Sequence, residues 1–304
     1  MGASFLLCEE YMDVESFNQN WIVAGASSIG RGHIKENKPI EDSYYCEPWG
    51  NGWGIAVVSD GAGSREKSAT GSKLMSQTYA PQIFKRHLNK FFDTHELPSL
   101  EQWQKISLRS LYECAYSLNE YTLAQDDNFA LYACTIIVVI YTPYGILCTH
   151  IGDGRACYRD KAGVWQACMK PYNPDPEEPS ATVFITSPIW ESLKIAQEYI
   201  GYRVLEGATA FALLSDGVES YCFTCTPRDS VTGADPNMPL QGFFDGIYQV
   251  FHGAKADESK IEHEIGDYLL KNPRLANEID DKTLVFGYFS QEQITHDPSP
   301  NVEQ

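Results

Sequence analysis

Apolar and polar positions along the 304-residue chain follow two rhythms. Short runs rich in β-branched and aromatic residues predict strands at Trp21–Ser27, Asp42–Cys46, Trp53–Ser59, Leu131–Thr142, Gly145–Ile151, Arg155–Arg159, Tyr202–Leu205, Thr209–Ser215 and Thr283–Phe289. Longer amphipathic stretches predict helices over Glu66–Phe92 and Leu100–Leu123, between the first and second strand groups, and over Leu240–Phe251 and Ser259–Leu270. Connections as short as Pro143-Tyr144-Gly145 and Gly152-Asp153-Gly154 join neighbours into antiparallel pairs, because a parallel crossover needs a dozen residues or more. Strands and helices are clustered and not alternating, which predicts an α+β protein with antiparallel sheets.

No repeat of fixed period divides the chain, and the expectation is one domain over residues 1–290. Pro171 to Pro179 is a proline-rich acidic stretch and reads as an exposed loop. The polar segment 291–304 reads as a flexible tail outside the core.

Composition narrows the function classes. Hydrophobic residues make up 43% of the chain and charged ones 21%, enough apolar material for a packed core. A formal charge of −18 opposes the cationic footprint that nucleic acid or an anionic membrane surface requires, so neither is expected as a partner. No apolar run approaches the roughly 20 residues of a membrane span. Ala3 to Cys8 is too short and lacks the basic flank of a signal peptide, and Leu6 stands where a myristoylation signal needs Ser or Thr, so a cytoplasmic setting is expected. The nine cysteines sit in apolar segments and read as reduced, buried thiols. Cys222-Phe-Thr-Cys225 has no second pair or nearby His to complete a zinc site.

The candidate chemistry lies where strands end. Ile55-Ala-Val-Val-Ser-Asp60-Gly61, Cys148-Thr-His-Ile-Gly-Asp153-Gly154 and Phe211-Ala-Leu-Leu-Ser-Asp216-Gly217 each run an apolar strand into Asp-Gly. A buried strand fixes its last residue, and the Gly permits a tight turn that brings backbone close to a ligand. Glu41-Asp42 and Asp280-Asp281 add acidic pairs just before strands. Clustered carboxylates repel one another unless cations neutralise them, and an all-oxygen set favours Mg²⁺ or Mn²⁺ over zinc.

In this order, with Ser59-Asp60-Gly61-Ala62-Gly63-Ser64, Ala133-Cys134-Thr135 and an early His33-Ile34, the chain resembles the metal-dependent PPM/PP2C-type serine/threonine phosphatases, in particular their bacterial branch with an Asp-Gly-Ala-Gly-Ser motif. The resemblance spans about Trp21 to Phe289. It implies a four-layer αββα sandwich, two antiparallel sheets face to face with helix pairs outside, and a flap-like loop around residues 165–200. It implies two Mn²⁺ or Mg²⁺ ions bridged by Asp60, with the Gly61 carbonyl, Asp42, Asp216 and Asp280 completing their shells, Asp153 at a third ion and Glu41 behind the ligands. A hydroxide bridging the two metals would attack phosphoserine or phosphothreonine in line. The implied partners are a phosphorylated protein substrate, a cognate serine/threonine kinase and a von Willebrand-type protein.

The chain departs from the family in two places. Ala62 stands where many eukaryotic members carry a His, a candidate general acid, and Glu36-Asn37-Lys38-Pro39-Ile40 replaces the stretch that holds their phosphate-gripping Arg. His33, on a short loop or hairpin nine residues before Asp42, is the candidate acid. Arg31 and His33, with Lys35 and Lys38 nearby, are candidates for phosphate. The competing readings are an inactive PP2C-like scaffold and a small-molecule phosphoesterase. A cysteine-phosphatase loop and a Gly-x-Ser-x-Gly elbow are both missing from the sequence.

Overall fold

A computed structural model describes residues 18–94, 96–172, 182–225 and 235–292. Most of the Pro171–Pro179 loop and most of the 291–304 segment lie outside the described residues, as do Ala3 to Cys8. Strands β1 (Asn18–Ser28), β6 (Arg155–Arg159), β7 (Trp165–Ala167), β9 (Ala210–Leu214) and β12 (Lys282–Glu292) form one sheet in the order β1-β12-β9-β6-β7. A second sheet has the order β2-β3-β4-β5-β8, from β2 (Ser43–Gly50), β3 (Trp53–Ser59), β4 (Ile136–Thr142), β5 (Gly145–Ile151) and β8 (Gly201–Glu206). Every pairing within both sheets is antiparallel. The short strands β10 (Phe223–Thr224) and β11 (Met238–Pro239) pair separately.

Period-two side chains explain the layering. On β3, Ile55 and Val57 enter a core shared with helices, while Ala56 and Val58 enter the core between the sheets. β4 divides in the same way, with Ile136, Val138 and Ile140 against Ile137, Val139 and Tyr141. On β9 and β12, Ala212, Leu214, Leu284 and Phe286 face the other helical layer, and Phe211, Leu213 and Val285 face inward. The outer layers are α2 (Ser68–Leu74), α3 (Ala80–Leu88) and α4 (Leu100–Ala124) on one side. On the other are α6 (Asp216–Cys222), α7 (Gln241–Gly253) and α8 (Glu258–Lys271), with α1 (Arg31–Glu36) and α5 (Leu193–Ala196) as short connecting helices. The αββα expectation holds.

Four local readings need correction. The expected helix over Glu66–Phe92 contains a π turn at Met75–Tyr79, just before Pro81, which has no N–H to continue the i to i−4 ladder. The strand expected from Leu131 starts at Ile136, because Phe129–Tyr132 is a 3₁₀ turn and Ala133-Cys134-Thr135 crosses to the β3 end. Asp216-Gly217, expected to form a tight turn, opens helix α6. β12 runs to Glu292, paired with Asn18, so Gln291 and Glu292 belong to the sheet and not to a tail.

Candidate metal centre

The ends of β3, β9 and β12 and the approach to β2 meet at one rim of the sandwich. Thr135 clamps Asp60 from both sides, its amide donating to the Asp60 carbonyl (2.8 Å) and its hydroxyl accepting from the Asp60 amide (3.1 Å). Gly61 donates its N–H to the Glu41 carbonyl at 3.2 Å. A Cβ at Gly61 would stand 2.8 Å from that oxygen and 2.9 Å from the Ser68 carbonyl carbon, backbone on both sides. Gly61→Ala is therefore expected to cost about 1–3 kcal/mol by overpacking, read as a lower denaturant midpoint; an unchanged midpoint would contradict this close approach.

Asp42 is buried, and its Oδ2 accepts hydrogen bonds from Ser215 Oγ and Thr283 Oγ1, both at 2.7 Å. Burial pushes its carboxyl up to about 7 even though those hydroxyl bonds hold it down, and Asp281 and Asp280 raise it further. Asp216 is pushed up to about 8 by burial and then by Asp280, Asp153 and Asp42. Burial also raises Asp60 well above the carboxylate range, followed by Asp42, Asp216, Asp280 and Asp153, so the five groups feel one another. Asp153, after Gly152 at φ 116°, rises to about 6, mainly through burial. Asp280 is solvent-exposed and accepts the Asp281 amide at 2.9 Å.

The side chains are not drawn into a closed cage: among the described residues no three His, Cys, Asp or Glu groups are placed to enclose an ion as they stand. The donor set nevertheless suits hard cations. It is all carboxylate, and Asp42 Oδ1 and Asp216 Oδ1 are buried with no hydrogen-bond partner among the described residues, a costly arrangement that a cation relieves.

These raised values fix a sign. Asp42 and Asp216 hold protons in the folded, metal-free state up to about pH 7 and 8, whereas an unfolded carboxyl loses its proton near pH 4. Their contribution to metal-free stability is full below about pH 4 and is lost as pH rises through 7 to 8. The melting temperature of the metal-free protein is expected to fall between pH 5 and 8, with a shallower slope in an Asp42→Asn/Asp216→Asn variant. A slope unaffected by those substitutions would refute the assignment.

One residue central to the rim was visible in the sequence only as the second half of a doublet. Asp281 is 2% exposed, and its Oδ1 accepts the Gly30 amide (2.7 Å) while its Oδ2 accepts the Glu41 amide (2.6 Å) and lies 2.9 Å from His33 Nδ1. It brackets the β1–α1 turn and α1 to the segment carrying Glu41 and Asp42. Arg155 was also missed. Its buried guanidinium holds Glu219 Oε2 (2.6 Å), Asn237 Oδ1 (2.7 Å) and Asp235, tying α6 and the segment before β11 to the strand beside Asp153.

His33 lies on helix α1 and not on a loop or hairpin, because Gly30 packs tightly against the Ile279 and Asp280 backbone and the chain turns helical immediately after it. Its ring is buried between Asp281 and Glu41, with Nε2 3.7 Å from Glu41 Oε2. Glu41 is buried and its carboxyl raised, chiefly by desolvation. Arg31 is exposed and directed to Asn277 Oδ1 at 2.6 Å. Lys38 Nζ reaches the Gly63 carbonyl at 3.3 Å, immediately beyond the Asp60-Gly61 turn.

Comparison with known proteins agrees with this geometry. A bacterial serine phosphatase structure superposes with a TM-score of 0.52 at 14% identity, covering 90% of this chain and 99% of that one. PppA, a regulatory component of the type VI secretion system of Pseudomonas aeruginosa, gives 0.51 at 17% identity, covering 89% and 98%. The catalytic domain of the serine/threonine phosphatase PstP, solved with two manganese ions, gives 0.50 at 15%, covering 90% and 100%. Comparison with curated protein sequences finds no match. At such identities the structural likeness establishes the fold. The protein phosphatase 2C pattern matches residues 29–269, most of the chain, and so the chain belongs to the protein phosphatase 2C family of metal-dependent protein serine/threonine phosphatases.

Proposed function

We propose that the chain removes phosphate from phosphoserine and phosphothreonine in proteins, using Asp42, Asp60, Asp216 and Asp280, with the Gly61 carbonyl, to hold two Mn²⁺ or Mg²⁺ ions, and Asp153 for a third. The observation that carries this reading is the convergence of mutually destabilising carboxylates, Asp42 buried and Asp60 and Asp216 half-buried, at one rim. Two divalent ions in such a set offset the charge of a phosphate dianion and make water acidic enough to attack it near neutral pH. The chain's own groups do the positioning. Ser215 and Thr283 fix one oxygen of Asp42, Thr135 fixes the Asp60 backbone, and Asp281 fixes the Glu41-Asp42 segment.

Of the nearby cations, Lys38 is the proposed phosphate contact, since its ammonium, paired with Glu36 at 3.0 Å, also lies at the Gly63 turn beside the rim, while Arg31 faces Asn277. His33 is proposed to position Glu41 and Asp281 and not to donate a proton. His33→Ala is then expected to lower turnover of a phosphoserine peptide and of an activated aryl phosphate in parallel. A loss of roughly 10²-fold confined to the peptide would make His33 the general acid instead.

A phosphoprotein substrate requires an enzyme to make it, so a serine/threonine kinase is the class that supplies this site. The von Willebrand-type partner is carried by the resemblance alone; no helix among the described residues is long and apolar enough to cross a membrane. The test of substrate class compares kcat/KM on phosphothreonine peptides with that on sugar phosphates and nucleotides. Higher values on peptides support the reading, and the reverse order would make the protein a small-molecule phosphoesterase.

A further inference from the structure

We infer that the groove between the edge strands β1 and β2 docks an extended, basic segment of the phosphoprotein substrate, with Glu258 and Glu262 of α8 reading paired Arg or Lys side chains. This inference rests on the phosphatase reading above. The groove has a volume of about 790 Å³ and starts at Asp42 and Ser27, on the carboxylate rim, so a chain lying in it is continuous with the reacting phosphate. It extends along β1 to Trp21, with Tyr141 and Pro48 opposite. Ser27 lies six residue steps along the strand from Trp21, about 20 Å at the usual rise, which is room for five or six residues of an extended peptide.

Helix α8 lines this path lengthwise. Tyr288, the β12 partner of Ile22, donates its hydroxyl to the Ala256 carbonyl at 2.7 Å just before the helix, and Gly266 further along it faces Ala26. The helix therefore advances along β1 toward the rim. Glu258 lies toward the far end, within electrostatic reach of Tyr141, and Glu262 lies nearer the rim, within reach of Tyr44 and Cys46. Both carboxylates are exposed, and neither makes an ion pair with any described residue. Among the described residues no Lys, Arg or His lines the groove, whereas the half-buried Tyr44 and Tyr45 of β2 offer aromatic surface suited to a guanidinium.

The spacing sharpens the inference. Four helical residues advance about 6 Å, and alternate residues of an extended chain advance about 6.7 Å and point the same way. A basic-x-basic pair therefore matches Glu258 and Glu262 better than adjacent basic residues do. The overall charge of −18 adds attraction for such a segment at long range.

The test uses the full-length, Mn²⁺-loaded protein and phosphothreonine peptides flanked on either side by Arg-x-Arg, Arg-Arg or Gln-x-Gln. The Arg-x-Arg peptide is expected to have a KM about 10-fold lower than the Gln peptide, at similar kcat. A Glu258→Gln/Glu262→Gln variant should erase that difference while leaving aryl phosphate turnover unchanged. Fluorescence anisotropy of the unphosphorylated peptides should show the same order and the same loss. Equal KM values in the wild type, or a preference that survives in the variant, would overturn the inference. So would sedimentation showing that these substitutions break a dimer, since a second copy would then occupy the groove. Failure to hydrolyse aryl phosphate would sink the phosphatase reading instead, and anisotropy would still decide whether the groove takes a basic peptide.

Discussion

Asp60→Asn should abolish Mn²⁺-dependent phosphate release while leaving the fold in place. The substitution keeps the side chain's shape and the Thr135 clamp on the Asp60 backbone, but removes a charge from the carboxylate set that the other four all influence. Loss of a partner behind a metal ligand typically costs 10–100-fold in affinity or activity. Removal of a ligand that is proposed to serve both ions should cost more, on the order of 10³-fold or greater in kcat/KM. Metal-free Asp60→Asn should also melt at or above the wild-type temperature near pH 8, because one of the mutually repelling carboxylates is gone. Circular dichroism and phosphate release, measured on the same preparations, check both halves. Activity within a few-fold of wild type would remove Asp60 from the site.

The second large effect is expected at Asp281, which carries no proposed ligand role. Asp281→Ala leaves the Gly30 and Glu41 amides unpaired in a buried position and removes the carboxylate beside His33. Each unpaired buried group costs about 1–3 kcal/mol, so a loss of about 3 kcal/mol in unfolding free energy is expected. Because the same bonds set the position of Asp42, the residual activity should require more Mn²⁺ for half-saturation, by about 10–100-fold. A variant with lowered stability but an unchanged Mn²⁺ requirement would reduce Asp281 to a scaffold residue with no part in positioning the site.

The strand ends carried most of what could be read from residues alone. An apolar run into Asp-Gly places a carboxylate at a rim whether the next element is a turn, as after Asp153, or a helix, as after Asp216, so the carboxylate was legible and its neighbouring element was not. The period-two pattern of β3 and β4 is nearly continuous hydrophobe because both faces are buried, and that assigned strands without saying which core each face entered. Asp281 and Arg155 escaped because their partners lie far along the chain. Glu41 is 240 residues from Asp281, and Asp235 is 80 from Arg155, separations that local patterns do not encode. His33 reads as loop in the sequence because α1 spans only six residues, too short for periodicity to register. The groove beside α8 was invisible for a further reason. Glu258 and Glu262 look like any solvated helix face until α8 is laid along β1.

The most direct measurement is the release of inorganic phosphate from a phosphothreonine peptide while Mn²⁺ is titrated into protein stripped with a chelator. Release should be absent without metal, rise to saturation with Mn²⁺ and vanish again on addition of excess chelator, and the same titration on Asp216→Asn should stay at baseline. Release that persists without divalent metal, or no release at any Mn²⁺ or Mg²⁺ concentration from a protein that binds the ions, would contradict the assignment of the carboxylate rim as a metal-dependent phosphatase site.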